Sequence, residues 1–152
     1  MNAFNGGSDS TEILTFGLAG QAFALEATIV SEILDVVPIT TVPNAPLHAP
    51  GLINVRGKVV PLVDLRVRLG MPRQDNSIDT RIVVIEIILD GEPTIVGLLA
   101  DKVYEVTEIN PDSIEPTPRV GMKWRPEFIR GIGRRGNDFL VVLDIDRVFS
   151  AD

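Results

Sequence analysis

Val59-Val60-Pro61-Leu62-Val63-Asp64-Leu65 and, at an offset of 80, Phe139-Leu140-Val141-Val142-Leu143-Asp144-Ile145 share one pattern: an apolar run of strand length closed by an aspartate and an aliphatic residue. Working outward, Gly51-Leu52 pairs with Gly131-Ile132 at the same offset, and Arg56-Gly57 matches Arg135-Gly136 after a one-residue slip. Nearer the N-terminus the offset becomes 73. There Phe23 to Ile33 aligns with Val96 to Val106, with Leu25/Leu98, Ala27/Ala100, Val30/Val103 and Glu32/Glu105 coinciding. Pro38 then falls on Pro111 and Pro43 on Pro116, two turn-setting residues in register. The difference, 80 − 73 = 7, fits extra residues around Arg119 to Phe128, which include Trp124. Apolar β-rich segments resemble one another by chance, but repeated Gly, Pro, Glu and Asp in one order do not, so the chain is an internal repeat.

Each half carries short apolar runs bounded by turn residues: Ile13 to Leu18, Ala22 to Leu25, Val59 to Val63, Ile82 to Leu89, Thr94 to Leu99 and Phe139 to Leu143. Gly20, Asp90-Gly91 and Gly136-Asn137-Asp138 supply hairpin turns, which require residues tolerant of positive φ. Helical signal is confined to Asp64 and Asp144, each placed to cap a short helix ahead of Leu65 and Leu69, or Ile145 and Phe149. A half is then a unit of roughly 70 residues with four or five short strands, the size at which a barrel closes its own edges but has a marginal core. Two such units packed together bury surface that neither hides alone. The expectation is an all-β globule of two sub-barrels over 12–150, about 12–79 and 80–150, with any exchange of strands between them left open, preceded by a loose polar tail over 1–11.

The chain has 152 residues, 45% hydrophobic and only 5% aromatic, so its core must be built from Val, Ile and Leu. The absence of cysteine removes disulfides and thiolate chemistry and suits a reducing compartment. No stretch approaches the roughly 20 apolar residues of a membrane span, and Met1 to Thr11 has neither the basic nor the apolar region of a signal peptide. The net charge of −7 repels nucleic acid. That charge is segregated: residues 1–50 hold five acids and neither Lys nor Arg, whereas Arg119 to Arg135 holds six cations against Glu127. This basic stretch reads as a solvated loop offsetting an acidic body.

No catalytic, metal or cofactor site is expected. His48 is the only histidine and sits in a Pro-flanked loop without ligand spacing. Asp64 and Asp144 recur in both halves as helix caps rather than as an acid–base pair, and no Gly-rich phosphate loop precedes a helix. A small-barrel nucleic-acid or oligosaccharide binder needs aromatics along one sheet face, and one Trp and one Tyr supply few.

The stretch Gly51-Leu52-Ile53-Asn54-Val55-Arg56-Gly57-Lys58-Val59-Val60-Pro61-Leu62-Val63-Asp64-Leu65-Arg66 resembles the signature of CheW-type coupling domains of bacterial chemotaxis. Three further segments resemble that family in order: Ala24 to Ile33, Val96 to Val103, and Phe128 to Asp144. The resemblance implies two five-stranded SH3-like barrels. It also implies a cytoplasmic, non-enzymatic adaptor that links the cytoplasmic tips of methyl-accepting chemoreceptors to the regulatory domain of the histidine kinase CheA. A coupling module of a chemosensory pathway with an output other than swimming fits the same residues. Receptor contact in the family maps onto Glu32 and Arg56, flanked by Val30, Ile33, Gly51 and Asn54. The kinase-facing surface is not marked. An apolar groove between the sub-barrels is what a helical receptor tip would require, and Gly51 and Trp124 read first as structural, the latter in the core.

Overall fold

The computed structural model describes residues 10–118 and 124–150; residues 1–9 of the tail expected over 1–11, together with Arg119 and Lys123 of the basic stretch, lie outside the described residues, and Thr11 opens the first strand. The first half forms β1 (Thr11–Leu18), β2 (Gln21–Glu26), β3 (Val30–Asp35), β4 (Thr40–Thr41), β5 (Gly51–Val55), β6 (Lys58–Asp64) and the short helix α1 (Leu65–Arg68). The second repeats the order with β7 (Arg81–Leu89), β8 (Glu92–Ala100), β9 (Lys102–Ile109), β10 (Ile129–Arg135), β11 (Asp138–Leu143) and α2 (Ile145–Ser150). The counterpart of β4 is a single bridge between Glu115 and Ile132.

The halves do not stay apart. One sheet runs β10-β11-β2-β1-β9 and the other β3-β7-β8-β6-β5-β4, so each half gives its first hairpin to the other half's sheet. Sheet membership therefore does not follow the sequence division at residues 79–80. Each exchanged hairpin is held on both edges: by a short parallel pairing, Val142 with Ala24 or Leu62 with Gly97, and by an antiparallel one, β1 with β9 or β7 with β3. Both sheets close into barrels. In the six-stranded sheet, β3 and the β5–β6 turn stand far apart in strand order, yet Arg56 Nε lies 3.0 Å from Glu32 Oε2.

Side-chain alternation explains why this exchange holds. On β1, β2, β6, β7, β8 and β11 both faces are apolar, because each face meets a different core. Ile13, Ala24, Leu140 and Val142 point into the five-stranded barrel; Val60, Leu62, Ile82, Val84 and Leu99 point into the other. Their neighbours Leu14, Phe16, Phe23, Leu25, Val83, Ile85, Val96, Leu98, Val141 and Leu143 turn the opposite way, into a layer shared between the sheets. Among the described residues that layer holds twenty buried side chains, against seven and five inside the barrels, so most of the buried apolar side chains belong to neither barrel alone. At about 1.5–3 kcal/mol per buried large aliphatic or aromatic side chain, the shared layer is the principal stabilising element. Trp124 joins it, edge-on to Phe23 with centroids 5.3 Å apart.

The turns follow the residues that permit them. Ala19-Gly20, Arg56-Gly57 and Asp90-Gly91 all have positive φ, as two-residue hairpins with native twist require. Gly51 has a different reason: a Cβ there would lie 2.2 Å from the Thr40 carbonyl oxygen, so the close approach of β4 excludes any side chain. Its repeat partner is held the same way, since a Cβ on Gly131 would lie 2.4 Å from Ile114 Cγ2 and 2.7 Å from the Glu115 oxygen.

The two aspartates terminate β6 and β11 and start the helices. Asp64 Oδ1 accepts from Arg66 N at 3.1 Å, and Asp144 Oδ1 from Arg147 N at 3.3 Å. Asp64 does more. The Arg66 side chain, 2% exposed, donates to Asp64 at 3.1 Å and to Asp101 Oδ1 at 3.0 Å, while Asp101 Oδ2 accepts from Ala19 N at 2.7 Å. One guanidinium thus ties α1 to the β8 end of the second half and, through Asp101, to the β1–β2 turn.

Removing one member of such a buried network leaves charge without compensation. Arg66→Leu is expected to lower stability by about 3–5 kcal/mol in urea unfolding, and adding Asp64→Asn, which keeps the cap, to recover part of the loss. Gly51→Ala and Gly131→Ala are each expected to cost about 1–3 kcal/mol in the same measurement, from overpacking against backbone and neighbouring side chain.

Candidate functional site

The surface around the β5–β6 turn begins with a local constraint. Arg56 occupies the first turn position with φ 52°, and Asn54 Oδ1 accepts from Gly57 N at 2.8 Å, which braces the turn from within. The turn aims the Arg56 side chain across the barrel mouth to β3. There the guanidinium donates through Nε at 3.0 Å and Nη2 at 3.1 Å to the two oxygens of Glu32, a forked pairing. Its exposure is uneven, 79% for the Arg56 side chain and 23% for Glu32, so the carboxylate orients and the guanidinium presents.

The six residues expected at the receptor surface are distributed as follows. Glu32 and Arg56 meet, and Asn54 supports the turn that brings them together. Along β3, Val30, Glu32 and Leu34 are half-buried while Ser31, Ile33 and Asp35 are exposed, so Ile33 faces away from Glu32 on the alternating strand. Ile33 is 41% exposed and Val30 packs against the shared layer. Gly51 is buried beneath β4, at the far end of β5 from the turn. Arg66 went unmarked in the sequence reading. The signal for it was there, a guanidinium two residues after a strand-ending aspartate with an offset-related acid, Asp146, in the other half.

The second half repeats the arrangement with a displacement. Arg135 Nε lies 4.0 Å from Glu105 Oε2, again across the ends of the strand order. Because Arg135 ends β10 rather than standing in the turn, it lies over the Tyr104 ring at 4.1 Å. The one-residue slip therefore turns an exposed guanidinium into a stacked one. Among the described residues of the basic stretch, Arg125 pairs with Glu127 at 2.7 Å, Arg130 lies 3.9 Å from both Glu26 and Asp144, and Arg134 lies over the Phe139 ring at 5.4 Å.

Between the two sheets lies a groove of about 330 Å³, with Ile29, Ile87 and Ile145 on its walls and Glu26, Arg130 and Asp146 at its polar side. Among the described residues no group of three or more His, Cys, Asp and Glu is placed to hold a metal ion. No helix there is long and apolar enough to cross a membrane. The His48 carbonyl accepts from Asp64 N at 2.7 Å.

Residues 12–152 match the family model described as CheW-like domain. The chemotaxis protein CheW of Rhizobium meliloti is 31% identical over 97% of this chain and 91% of its own length, and that of Klebsiella aerogenes 30% identical over 93% and 82%. Protein PilI of Pseudomonas aeruginosa is 28% identical over 83% of this chain and 68% of its own. The crystal structure of the scaffolding protein TtCheW from Thermoanaerobacter tengcongensis superposes with a TM-score of 0.83 at 32% identity, covering 96% of this chain and 92% of that one. With the repeat, the two SH3-like barrels and these likenesses in place, the chain belongs to the CheW-like domain family, a chemotaxis scaffold rather than an enzyme.

Proposed function

We propose that the chain is the coupling adaptor of a cytoplasmic chemosensory array. It holds the cytoplasmic tips of methyl-accepting chemoreceptors through the face built on Glu32 and Arg56, flanked by Val30, Ile33, Gly51 and Asn54. A separate surface engages the regulatory domain of the kinase CheA, and bridging the two sets kinase activity. The observation that carries this reading is the forked Glu32–Arg56 pair: a mostly exposed guanidinium held in a fixed direction by a half-buried carboxylate and a braced turn. An exposed ion pair contributes little to folding, so its ordering is of use mainly to a partner. Bidentate groups of this kind give geometric specificity.

Within this frame the six residues divide by role. Arg56 and Ile33 make contact, Glu32 and Asn54 orient, and Gly51 and Val30 keep the backbone of β5 and β3 in place. The likeness to Protein PilI, which is not named as a chemotaxis protein, favours a second reading in which the same coupler serves a chemosensory pathway with another output.

Reconstitution tests the reading. The chain is mixed with a CheA-type kinase and receptor fragments, and co-sedimentation and kinase autophosphorylation are measured. The wild-type chain is expected to co-sediment and to change kinase output. Arg56→Glu is expected to lose receptor capture at least tenfold with Tm nearly unchanged. No co-sedimentation and no effect of the wild-type chain on the kinase would overturn the proposal, and an Arg56→Glu chain that unfolds would make Arg56 structural.

A further inference from the structure

One difference between the two halves lies in the groove between the sheets. In the first half, Arg66 enters from the helix and places its guanidinium between Asp64 and Asp101. The positions related by the repeat are Asp146 for Arg66, Asp144 for Asp64 and Thr28 for Asp101. Thus the second half keeps the strand-ending carboxylate but has an exposed carboxylate where the first half has a buried guanidinium. Glu26, in place of Leu99, adds a further acid at the same spot.

The result is the groove of about 330 Å³, whose lining carries Glu26, Glu86 and Asp146 against Arg130 alone. Arg130 stands 3.9 Å from both Glu26 and Asp144, compared with 3.0–3.1 Å for the contacts of Arg66 with its carboxylates. Burial pushes the Glu26 carboxyl above its usual pKa; Arg130 opposes this and the charges of Asp146 and Asp144 add to it. An added positive charge would relieve that crowding. Around the polar side stand Ile29, Ile87, Ile88 and Ile145, an apolar collar suited to the stem of a long side chain.

We infer that the groove beside Glu26 and Asp146 receives an arginine side chain of a protein partner, flanked there by apolar residues. The inference rests on the reading of the chain as a docking module, and names the chemistry of one contact on it. Two observations support it independently. The charge of the lining calls for a cation, and the first half of the same chain holds a guanidinium at the repeat-related position. The fork of an arginine matches a carboxylate pair better than the ammonium of a lysine does.

The test uses the whole chain and a blocked peptide, acetyl-Leu-Arg-Leu-amide, with the citrulline analogue as the isosteric neutral control. In amide NMR titrations at millimolar peptide, the arginine form is expected to shift Glu26, Ile29, Ile145 and Asp146, and the citrulline form to leave them in place. Asp146→Arg supplies the guanidinium from the helix, as Arg66 does, and is expected to weaken the response at least tenfold. Glu26→Gln with Asp146→Asn is expected to weaken it as strongly, each variant being checked for an unchanged cooperative melt. Lys58→Glu, at an exposed residue outside the groove lining, is expected to keep the response in full. No response, an equal response to citrulline, shifts confined to other residues, or full binding by the two groove variants would overturn the inference. The co-sedimentation assay separates it from the adaptor reading. A wild-type chain that captures receptor but gives no arginine response removes the groove contact alone, whereas a wild-type chain that gives the arginine response but captures no receptor removes the adaptor reading alone.

Discussion

The apolar layer between the two sheets is the constraint on which the rest of the structure depends. Six strands must be apolar on both faces to line it and their own barrel at once, and those six are the two exchanged hairpins with the two strands that pair with them in parallel. Each hairpin crosses to the other half because only there does its second face meet a partner. The buried Arg66 network then fixes the crossing in polar terms, joining α1, Asp101 and the β1–β2 turn at one guanidinium. The exposed site follows from the same closure, since curling of the six-stranded sheet is what brings β3 within reach of Arg56.

That division also explains what the sequence made legible. The apolar runs picked out as strands correspond to β1, β2, β6, β7, β8 and β11, all buried on two faces. Less visible were β3, β5, β9 and β10, each at or near a sheet edge. On β3 half-buried Glu32 alternates with exposed Ile33, so polarity and position nearly cancel as a signal. The repeat, by contrast, was legible throughout, because glycines and aspartates with backbone roles cannot drift as apolar residues do. Gly51 and Gly131 keep out side chains beneath β4 and its counterpart, and Asp64 and Asp144 cap helices. What the repeat could not reveal was the exchange, since strand partners depend on which apolar faces find each other in space.

The site was legible in part and for a different reason. Glu32 and Arg56 are 24 residues apart, and nothing in local pattern links them; family resemblance did. The structure adds the physics of that link and gives each of the six proposed residues its place. Asn54 braces the turn that carries Arg56, and Gly51 admits the close packing of β4. Arg66 shows the converse case, a charged residue inside the signature stretch whose work lies wholly in the interior. The groove was the least legible feature, because its lining comes from both sheets and its clue was a charge reversal between Arg66 and Asp146.

The interlaced hairpins have a meaning beyond stability. Two copies of a single repeat, each lending its first hairpin to the other, would form a domain-swapped dimer with the same strand pairings, and the segment 69–80 joins what would be its two protomers. In a dimer of identical chains every substitution is made twice, so a turn arginine or a buried guanidinium appears at both ends. Fusion lifts that obligation. The chain exposes a guanidinium at one barrel mouth and stacks one at the other, and fills one inter-sheet cleft from within while leaving its twin open. A nearly two-fold body with two unlike ends is polar, and polarity is what lets one small scaffold face different neighbours in different directions.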